Sequence, residues 1–314
     1  MKAFIFPGQG SQAVGMGKAL AEGFASARAV FDEVDAALSQ PLSKLMFEGP
    51  ESDLVLTANA QPALMAVSLA VVRVLEAEAG LDLARDAAFV AGHSLGEYSA
   101  LAAAGAFSIA DAARLLRLRG DAMQKAVPVG QGAMAALLGA ELEQATAIAA
   151  QAASEASGCC QTANDNGGGQ VVISGAKAAV ERAVEISKEQ GIKRAVLLQV
   201  SAPFHCALMQ PAADAMQAAL ATATIARPRV PVVANVTATP VDDPEIIRRL
   251  LVEQVTGTVR WRECVSFMAG AGVTKFVECG AGKVLTGLLK RIAPGISGVA
   301  VGAPGDLEGY RAFV

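Results

Sequence analysis

The sequence predicts an α/β protein in which a smaller α/β unit interrupts a larger one. An apolar run at 87–91 leads into Gly-His-Ser-Leu-Gly and then into a helical stretch of small residues, a pattern typical of strand, sharp turn and helix. Between 132 and 200 the predicted segments follow the order β-α-β-β-α-β. Hydrophobic residues make up 53% of the chain but aromatic residues only 4%, so Ala, Val and Leu must form most of the core.

The chain of 314 residues is long enough for one large domain or two smaller ones. We expect residues 1–128 and 201–314 to form a large subdomain, with residues 129–200 inserted into it as a small one. The order β-α-β-β-α-β is the ferredoxin-like arrangement, and a segment of about 70 residues can fold as an independent unit.

Periodicity predicts the elements of each part in turn. Before the insertion it predicts strands 3–6 and 87–91, and helices 15–24, 26–38, 61–79, one ending at 104, and 110–125. Within the insertion it predicts strands 133–138, 159–163, 170–174 and 195–200, and helices 141–156 and 177–190. After the insertion it predicts strands 230–234 and 275–279, and helices 208–223, 244–254, 266–270 and one that Gly280 opens and that ends near 292. The tail after Pro294 is interpreted as weakly specified.

Composition excludes several classes of function. The net charge of −4 gives no general footprint for nucleic acid. Only four apolar residues, 3–6, follow Lys2, so no signal peptide is predicted. Residues 195–213 lack Asp, Glu, Lys and Arg, but polar residues and two prolines interrupt them, so we reject a membrane helix there. The five cysteines lack metal spacing and indicate reduced thiols in a cytoplasmic protein, and two histidines leave little room for a metal site.

The central motif is Gly92-His93-Ser94-Leu95-Gly96, between a predicted strand and a predicted helix. Glycines on both sides of the serine lack a Cβ, so the chain can turn sharply and expose the hydroxyl group. The following helix directs free N–H groups and the positive end of its dipole toward the serine, where an oxyanion would form. G-x-S-x-G also occurs as a simple glycine-rich turn. In this context it predicts a nucleophilic Ser94 and a serine-dependent acyl-transfer enzyme.

The loop after the first strand offers a competing motif. Gly8 to Ala13 matches the dinucleotide fingerprint G-x-G-x-x-A, with Asp32 at about the expected distance. Asp32 lies in a segment of helical rather than strand periodicity, and a second match at 130–135 shows how readily the pattern arises. We therefore reject a dinucleotide site. The loop forms either a tight turn or a backbone segment that offers an N–H group to the active site.

Arg119 is predicted to lie on an apolar helix face, at an angular position between Leu115 and Leu116. An arginine in that position must extend to solvent or meet a buried anion. A structural ion pair and a ligand site fit the sequence about equally well.

The nucleophile needs a base, and only two histidines are present. His93 adjoins the serine and would face a different way at a sharp turn. His205 ends an uncharged, loop-bounded stretch and is either a satisfied core histidine or the base; a serine in a cleft favours the base. No Asp or Glu is near His205 in sequence, so composition does not name the group that orients its ring.

These motifs fall in a characteristic order along the chain. They are Phe6–Gln12 (FPGQGSQ), Gly92–Tyr98 (GHSLGEY), Leu118–Gly120 (LRG), Phe204-His205, Val252–Gln254 (VEQ) and Gly280–Leu285 (GAGKVL). Over nearly the whole chain the set resembles the malonyl-CoA:acyl carrier protein transacylase family. The resemblance implies a hydrolase-like α/β core with a parallel sheet, which carries the ferredoxin-like insertion.

The same resemblance implies roles for the central residues. Ser94 would be the nucleophile and His205 the base. Arg119 would hold the free carboxylate of malonate. The backbone N–H groups of Gln9 and Leu95 would form the oxyanion hole.

Further roles follow from the resemblance alone. The backbone carbonyl of Gln254 would orient His205 in place of a carboxylate. Phe204 beside the base resembles the malonyl-type rather than the methylmalonyl-type variant, and Asn164 would face the cleft. Two basic pairs, Lys193-Arg194 and Lys290-Arg291, would dock the acidic carrier protein, although each pair alone is also explained as solvated charge.

The implied reaction moves a malonyl group from malonyl-CoA to the phosphopantetheine thiol of acyl carrier protein, by a ping-pong mechanism and in fatty acid biosynthesis. We expect no metal or redox cofactor, no membrane or nucleic-acid partner, a cytoplasmic location and a monomer. Alternatives stay open at this point: a serine esterase or thioesterase, a non-catalytic scaffold that binds carrier protein, or the same transfer serving malonate decarboxylase or polyketide synthesis.

Overall fold

Two β-sheets organise the computed structural model, which describes residues 1–314. Its ten strands are β1 (Lys2–Phe6), β2 (Phe89–Gly92), β3 (Gly132–Leu138), β4 (Cys160–Asp165), β5 (Gln170–Ala176), β6 (Arg194–Leu197), β7 (Val232–Val233), β8 (Pro240–Val241), β9 (Lys275–Cys279) and β10 (Ser297–Val301).

Fifteen α-helices pack on these sheets, and a 3₁₀ turn at Ala207–Met209 precedes one of them. The helices are α1 (Lys18–Gly23), α2 (Ala25–Leu38), α3 (Leu42–Glu48), α4 (Glu51–Leu54), α5 (Thr57–Ala79), α6 (Leu83–Asp86), α7 (Gly96–Ala103), α8 (Ile109–Ala126), α9 (Leu142–Glu155), α10 (Lys177–Glu189), α11 (Gln210–Thr222), α12 (Pro244–Thr256), α13 (Trp261–Gly270), α14 (Val284–Ile292) and α15 (Asp306–Phe313).

The larger sheet has the strand order β10-β9-β1-β2-β7-β8 and is parallel except for β8 at one edge. Strand β1 is central and pairs with β2 on one side and β9 on the other. The carboxyl ends of these strands meet at one edge of the sheet, where ligands of α/β proteins commonly bind. The loops after β1, β2, β7 and β9 therefore converge there.

Helices cover both faces of this sheet, so its strands are apolar on both sides. Successive side chains of β1 alternate between the faces. Phe4 and Phe6 enter a core of 64 buried residues, whereas Ala3 and Ile5 enter a second core of 16. This double burial explains why β1 and β2 appear in the sequence as continuous apolar runs.

The smaller sheet has the order β4-β5-β3-β6, and all its neighbouring strands are antiparallel. With α9 and α10 on one face, this is the ferredoxin-like arrangement, and the predicted α/β fold class is confirmed. One face of the sheet and its two helices enclose a core of 15 residues. Met134, Ala136 and Val172 on the other face join the large core, which fastens this unit to the rest of the protein.

The C-terminal tail differs from its prediction. It is not weakly specified: β10 pairs with β9 over five residues, and α15 follows. The prediction was wrong because an edge strand takes its hydrogen bonds from a distant neighbour, which leaves little local pattern.

Two other differences from the predicted elements lie before α5. The first helix begins at Lys18 rather than 15, since Gly15 and Gly17 have positive φ. The segment between α2 and α5 forms two short helices, α3 and α4, which periodicity did not predict.

Helix α5 is the one helix long and apolar enough to cross a membrane by length and composition. In the structure, 83% of its most apolar window is buried within the protein. It packs chiefly on α8 and α2 and serves as a central core helix.

Candidate active site

The G-x-S-x-G motif forms a sharp turn between β2 and α7, with Ser94 at φ 53°. The turn is tight enough to require glycine on both sides. A Cβ on Gly92 would lie 1.8 Å from the carbonyl oxygen of Gly96, and a Cβ on Gly96 would lie 2.4 Å from that of Phe6. The strand, turn and helix thus present the Ser94 hydroxyl at the carboxyl edge of the sheet.

Asn235 holds this turn from the neighbouring strand. It follows β7, and its Oδ1 accepts a hydrogen bond from the Ser94 N–H at 2.8 Å. Its Nδ2 donates to the carbonyl of Gly92 at 2.7 Å. The side chain therefore binds both limbs of the turn and offsets part of the strain of a non-glycine residue at positive φ.

The Ser94 Oγ lies 2.7 Å from Nε2 of His205, within hydrogen-bond distance. The other ring nitrogen, Nδ1, faces two backbone carbonyls, those of Gln254 at 2.9 Å and Gly257 at 3.1 Å. Carbonyls only accept, so Nδ1 carries the proton and Nε2 is free to accept one from the serine. Burial, together with the nearby Arg119 cation, lowers the pKa of His205 to about 3, which keeps the ring neutral.

The adjacent His93 has a different environment. Its Nε2 lies 2.9 Å from Oδ1 of Asn166 in the inserted subdomain. Its ring packs 5.8 Å from that of Trp261, and burial lowers its pKa. His93 therefore connects the serine turn to the inserted subdomain.

Arg119 projects from α8 into the same site and is almost fully buried. Its Nη1 donates to Oε1 of Gln61 at 2.8 Å, and its Nη2 donates to Oε1 of Gln254 at 2.9 Å and to Ser94 Oγ at 3.2 Å. No carboxylate forms an ion pair with it, and its Nε has no partner. The structural ion pair left open by the sequence is absent, and neutral amides hold the cation beside Ser94.

Close helix packing places Arg119 there. A Cβ on Gly120 would lie 2.6 Å from Cα of Ala58 and 2.7 Å from the carbonyl oxygen of Thr57. Only glycine lets α8 approach the start of α5 this closely. The approach brings Gln61, one turn further along α5, to the guanidinium group.

A buried acid completes the polar network. Oε2 of Glu97 accepts from Nε2 of Gln254 at 2.7 Å and from the Asn235 N–H at 3.0 Å. Burial raises the pKa of Glu97 to about 7. The Gln254 Nε2 also donates to the carbonyl of Ser94 at 3.1 Å, so one carboxamide contacts the nucleophile turn, the acid and the arginine.

Two backbone N–H groups at the site have no partner within the protein. They belong to Gln9, in the loop after β1, and to Leu95, just before α7. The Gln9 loop is anchored by its side chain, whose Oε1 accepts from the hydroxyl of Thr57 at 2.9 Å.

A cleft of about 650 Å³ lies between the two subdomains. It is lined by Gln9, Ser94, Leu95, Arg119 and His205. Phe204 and Asn164, predicted at the site, both line it, as do Met123 and Met134. A larger groove of about 1040 Å³ lies between α1 and α14; Lys290 lines it, but Ser94, His205 and Arg119 do not.

Comparison with known proteins agrees with this geometry. Residues 3–295 match the family model described as acyl transferase domain. The chain belongs to this family.

Several relatives are similar over nearly their full length. The malonyl CoA-acyl carrier protein transacylase of Bacillus subtilis (strain 168) is 46% identical over 306 residues, which are 98% of this chain and 95% of the relative. The crystal structure of acyl-carrier-protein-S-malonyltransferase from Bartonella henselae is 58% identical, with a TM-score of 0.95 and 98% of each chain covered. A chain in the solved structure of a type II PKS acyl-carrier protein in complex with its malonyl-transacylase also matches. Its identity is 42% and its TM-score 0.95, with 99% of each chain covered.

The two predicted basic pairs lie on the surface, and none of their four side chains forms an ion pair. Glycine turns bring them toward one another. Lys193 lies against Gly139, and Arg291 lies against Gly168. The two turns are joined by a hydrogen bond of 2.6 Å from the Gly139 N–H to the carbonyl of Gly169. We call Lys193, Arg194, Lys290 and Arg291 the basic surface.

Sequence reasoning missed Gln61, Glu97, Asn166, Asn235 and Gly257. Glu97 stood within the quoted GHSLGEY motif and carried a usable signal, since an acid next to a run of small apolar residues is unusual. The others reach the site only through tertiary contacts, with Arg119, His93, Ser94 and His205 respectively. No group of three or more His, Cys, Asp or Glu side chains is placed to hold a metal ion.

Proposed function

We propose that this protein transfers the malonyl group of malonyl-CoA to the phosphopantetheine thiol of acyl carrier protein, through a malonyl-Ser94 intermediate, in fatty acid biosynthesis. The observation that carries the proposal is the 3.2 Å distance between the Arg119 Nη2 and the Ser94 Oγ, with no protein carboxylate paired to that cation. One methylene separates the carboxylate of a malonyl group from its thioester carbon. A cation this close to the nucleophile suits that acyl group.

In the first half-reaction, Ser94 Oγ attacks the thioester carbon while His205 Nε2 takes the hydroxyl proton. The negative oxygen that forms is stabilised by the backbone N–H groups of Gln9 and Leu95. The C–S bond then breaks, and the sulfur of coenzyme A takes the proton from His205. The products are malonyl-Ser94 and free coenzyme A.

The second half-reaction reverses the roles of the groups. His205 takes the proton of the carrier thiol, whose sulfur attacks the ester carbon. The C–O bond to Ser94 breaks, and Oγ recovers the proton from His205. The carbonyls of Gln254 and Gly257 hold the ring in the required tautomer throughout.

Selection of malonyl over acetyl follows from desolvation. A malonyl carboxylate can pair with the guanidinium of Arg119 through two parallel hydrogen bonds. An acetyl group leaves the buried cation without its anionic partner, so it gains less on binding. Phe204, packed beside His205, limits the space for a branched acyl group, and Asn164 offers a polar side chain to the bound substrate.

The basic surface is proposed as the docking site for acyl carrier protein. Acyl carrier proteins are acidic, and four exposed cations without ion-pair partners would attract them. The relative solved in complex with its acyl-carrier protein supports a direct encounter of this kind.

The reaction as written needs no metal or redox cofactor, because side-chain acid–base and nucleophilic chemistry accounts for every bond. We further propose that the enzyme works in the cytoplasm as a monomer. The five cysteines, all free thiols, suit a reducing compartment.

Mass spectrometry of the intact protein after exposure to malonyl-CoA tests the proposal. We expect a malonyl adduct on Ser94, its absence in Ser94→Ala, and acylation slowed by about a hundredfold or more in His205→Ala. Adding carrier protein should move the adduct to the phosphopantetheine thiol. Release of free malonate as the main product would instead favour an esterase, and failure of Ser94 to acylate would favour a non-catalytic scaffold.

A further inference from the structure

One buried carboxylate of the site, that of Glu97, has no part in the reaction as written. It does not reach Arg119 directly, because the carboxamide of Gln254 lies between them. On one side of that carboxamide, Nε2 donates to Glu97 Oε2 at 2.7 Å; on the other, Oε1 accepts from Arg119 Nη2 at 2.9 Å. The three residues thus form a continuous chain of hydrogen bonds.

Hydrogen-bonding chemistry allows this chain in one orientation only. A guanidinium group can only donate, and Glu97 in its ionised form, which predominates above its pKa of about 7, can only accept. If the Gln254 carboxamide rotated by half a turn, its nitrogen would face the arginine and its oxygen would face Glu97, so both contacts would be repulsive. Glu97, at 2.7 Å, is a closer acceptor for this nitrogen than the Ser94 carbonyl at 3.1 Å, and both keep the carboxamide oxygen toward Arg119.

We propose that Glu97 is a positioning residue that sets the selectivity for a carboxylated acyl group, acting through Gln254 on Arg119. This inference rests on the proposed malonyl transfer. The acceptor oxygen of Glu97 keeps the Gln254 oxygen toward Nη2, and the guanidinium is thereby aimed at the space beside Ser94 Oγ. Gln61 holds only the other guanidinium nitrogen, Nη1, and cannot by itself fix that direction.

The backbone contacts of the same residues separate selectivity from basal chemistry. His205 is held by the main-chain carbonyls of Gln254 and Gly257, which do not depend on the side chain of Glu97. The serine turn is held by the Asn235 side chain through Ser94 N–H and Gly92 O. Glu97 accepts from the backbone N–H of Asn235, so the part of its loss that reaches this turn should slow both acylations alike. Loss of the Glu97 acceptor should therefore weaken malonyl acylation more than acetyl acylation.

The test compares the rates of Ser94 acylation by malonyl-CoA and acetyl-CoA in three proteins. In Glu97→Leu, which has similar volume but no acceptor, we expect the malonyl-to-acetyl rate ratio to fall at least tenfold. In Glu97→Gln, which keeps an acceptor oxygen for Gln254 and Asn235, we expect most of the lost ratio to be recovered. Labelling of Ser94 by a small sulfonyl fluoride, which carries no carboxylate, reports whether the serine and base remain reactive.

Glu278→Leu is the matched control. Glu278 is equally buried, but it accepts from the N–H groups of Leu285 at 3.1 Å and Thr286 at 2.7 Å, and caps α14 outside the cleft. We expect this variant to lower the melting temperature and to leave the rate ratio unchanged.

Each contrary outcome has a definite meaning. An unchanged ratio in Glu97→Leu, or equal losses of malonyl and acetyl acylation, would overturn the positioning role. A ratio as low in Glu97→Gln as in Glu97→Leu would overturn the acceptor argument. If the unaltered protein showed no malonyl preference at all, the proposed function itself would fail.

Discussion

The proposed nucleophile and the proposed base share an unusual backbone conformation. Ser94 has φ 53° and His205 has φ 58°, in the left-handed region that non-glycine residues seldom adopt. Each such residue costs about 1 to 3 kcal/mol, and this cost is met by contacts from elsewhere in the chain. Asn235 holds the serine turn, and the carbonyls of Gln254 and Gly257 hold the histidine. The protein is thus less stable than it would be without these two strained residues, but their conformations bring Ser94 Oγ and His205 Nε2 together.

Burial of His205 makes stability depend on pH. Its pKa is about 3 in the folded protein and 6.5 in the unfolded chain, so between these values the unfolded chain binds a proton that the folded protein does not. The free energy of unfolding should therefore fall as pH falls below 6.5. Relative to His205→Gln, the unaltered protein should lose about 2 kcal/mol between pH 6.5 and pH 5. Urea denaturation of both proteins measures this, and parallel pH profiles would contradict it.

Arg119 is expected to determine substrate choice. Arg119→Ala should slow malonyl transfer at least about a hundredfold, because removing one partner of a buried charge pair costs about 3 to 5 kcal/mol. Acetyl transfer should be relatively spared, since an acetyl group makes no use of the cation.

Single-turnover acylation of Ser94 with each thioester measures this difference, and Arg119→Lys is the control. Lysine keeps the charge but loses the two-pronged geometry, so it should recover only part of the malonyl rate. Equal losses with both substrates would assign Arg119 a structural role.

At the scale of elements, the contact between α5 and α8 positions the arginine. Gly120 lies against the backbone of Ala58 and Thr57, and this contact sets how far Arg119 and Gln61 project into the cleft. The backbone of a helix yields much less readily than a flexible side chain. A larger residue at 120 must therefore move one helix away from the other.

Gly120→Val is expected to lower the free energy of unfolding by about 1 to 3 kcal/mol through overpacking. It should also slow malonyl transfer at least about tenfold, since a displacement of 1 Å at a catalytic group has effects of about a hundredfold. Thermal denaturation and acylation kinetics measure the two effects.

Gly309→Ala in α15 is the control for that variant, because a Cβ at 309 would meet no atom within 4 Å. It should stabilise the protein by about 0.5 to 1 kcal/mol, since glycine is unfavourable within a helix. Normal stability and kinetics of Gly120→Val would refute the close-packing argument.

At the scale of the whole molecule, the site exists only where the two subdomains meet. The serine, the base and the arginine come from the large subdomain, whereas Met134 and Asn164 close the cleft from the inserted one. Contacts such as His93–Asn166 and Arg262–Asp165, the latter at 2.8 Å, join the two units. The basic surface also spans both, with two cations from each.

Reversal of the charges of the basic surface is expected to affect only the half-reaction with carrier protein. With Lys193, Arg194, Lys290 and Arg291 all changed to glutamate, the KM for carrier protein should rise about tenfold or more through lost electrostatic attraction. The rate of Ser94 malonylation by malonyl-CoA should stay nearly unchanged. Added salt should weaken the carrier reaction of the unaltered protein in the same direction.

Reversal of Arg73, Arg114, Arg227 and Arg249 to glutamate is the charge-matched control. All four are exposed, none lines the cleft, and each pairs with a local acid. The control should leave the carrier KM close to its original value. If the basic-surface variant did the same at low salt, the docking assignment would be refuted.

Local chemistry in the sequence determined the serine turn, the burial of Arg119 and the order of the elements. The G-x-S-x-G motif between an apolar run and a small-residue helix predicted the serine turn, because only glycine tolerates the contacts at Gly92 and Gly96. Helical periodicity placed Arg119 on a buried face, and segment order predicted the ferredoxin-like insertion. The roles of the remaining site residues were predicted from the resemblance to a known family, not from periodicity or residue spacing.

Only the tertiary structure decided what surrounds these residues. Gln61, Asn235 and Gln254 are ordinary amides in the sequence, and Glu97 is separated from Gln254 by more than a hundred and fifty residues. They meet because parallel strands bring distant loops to one sheet edge and because α8 crosses α5 at Gly120. The same reason explains β10, whose hydrogen bonds come from β9 rather than from its own neighbourhood. Periodicity reports which face of a segment is buried, but the partner of a buried polar group is set by the packing of the whole chain.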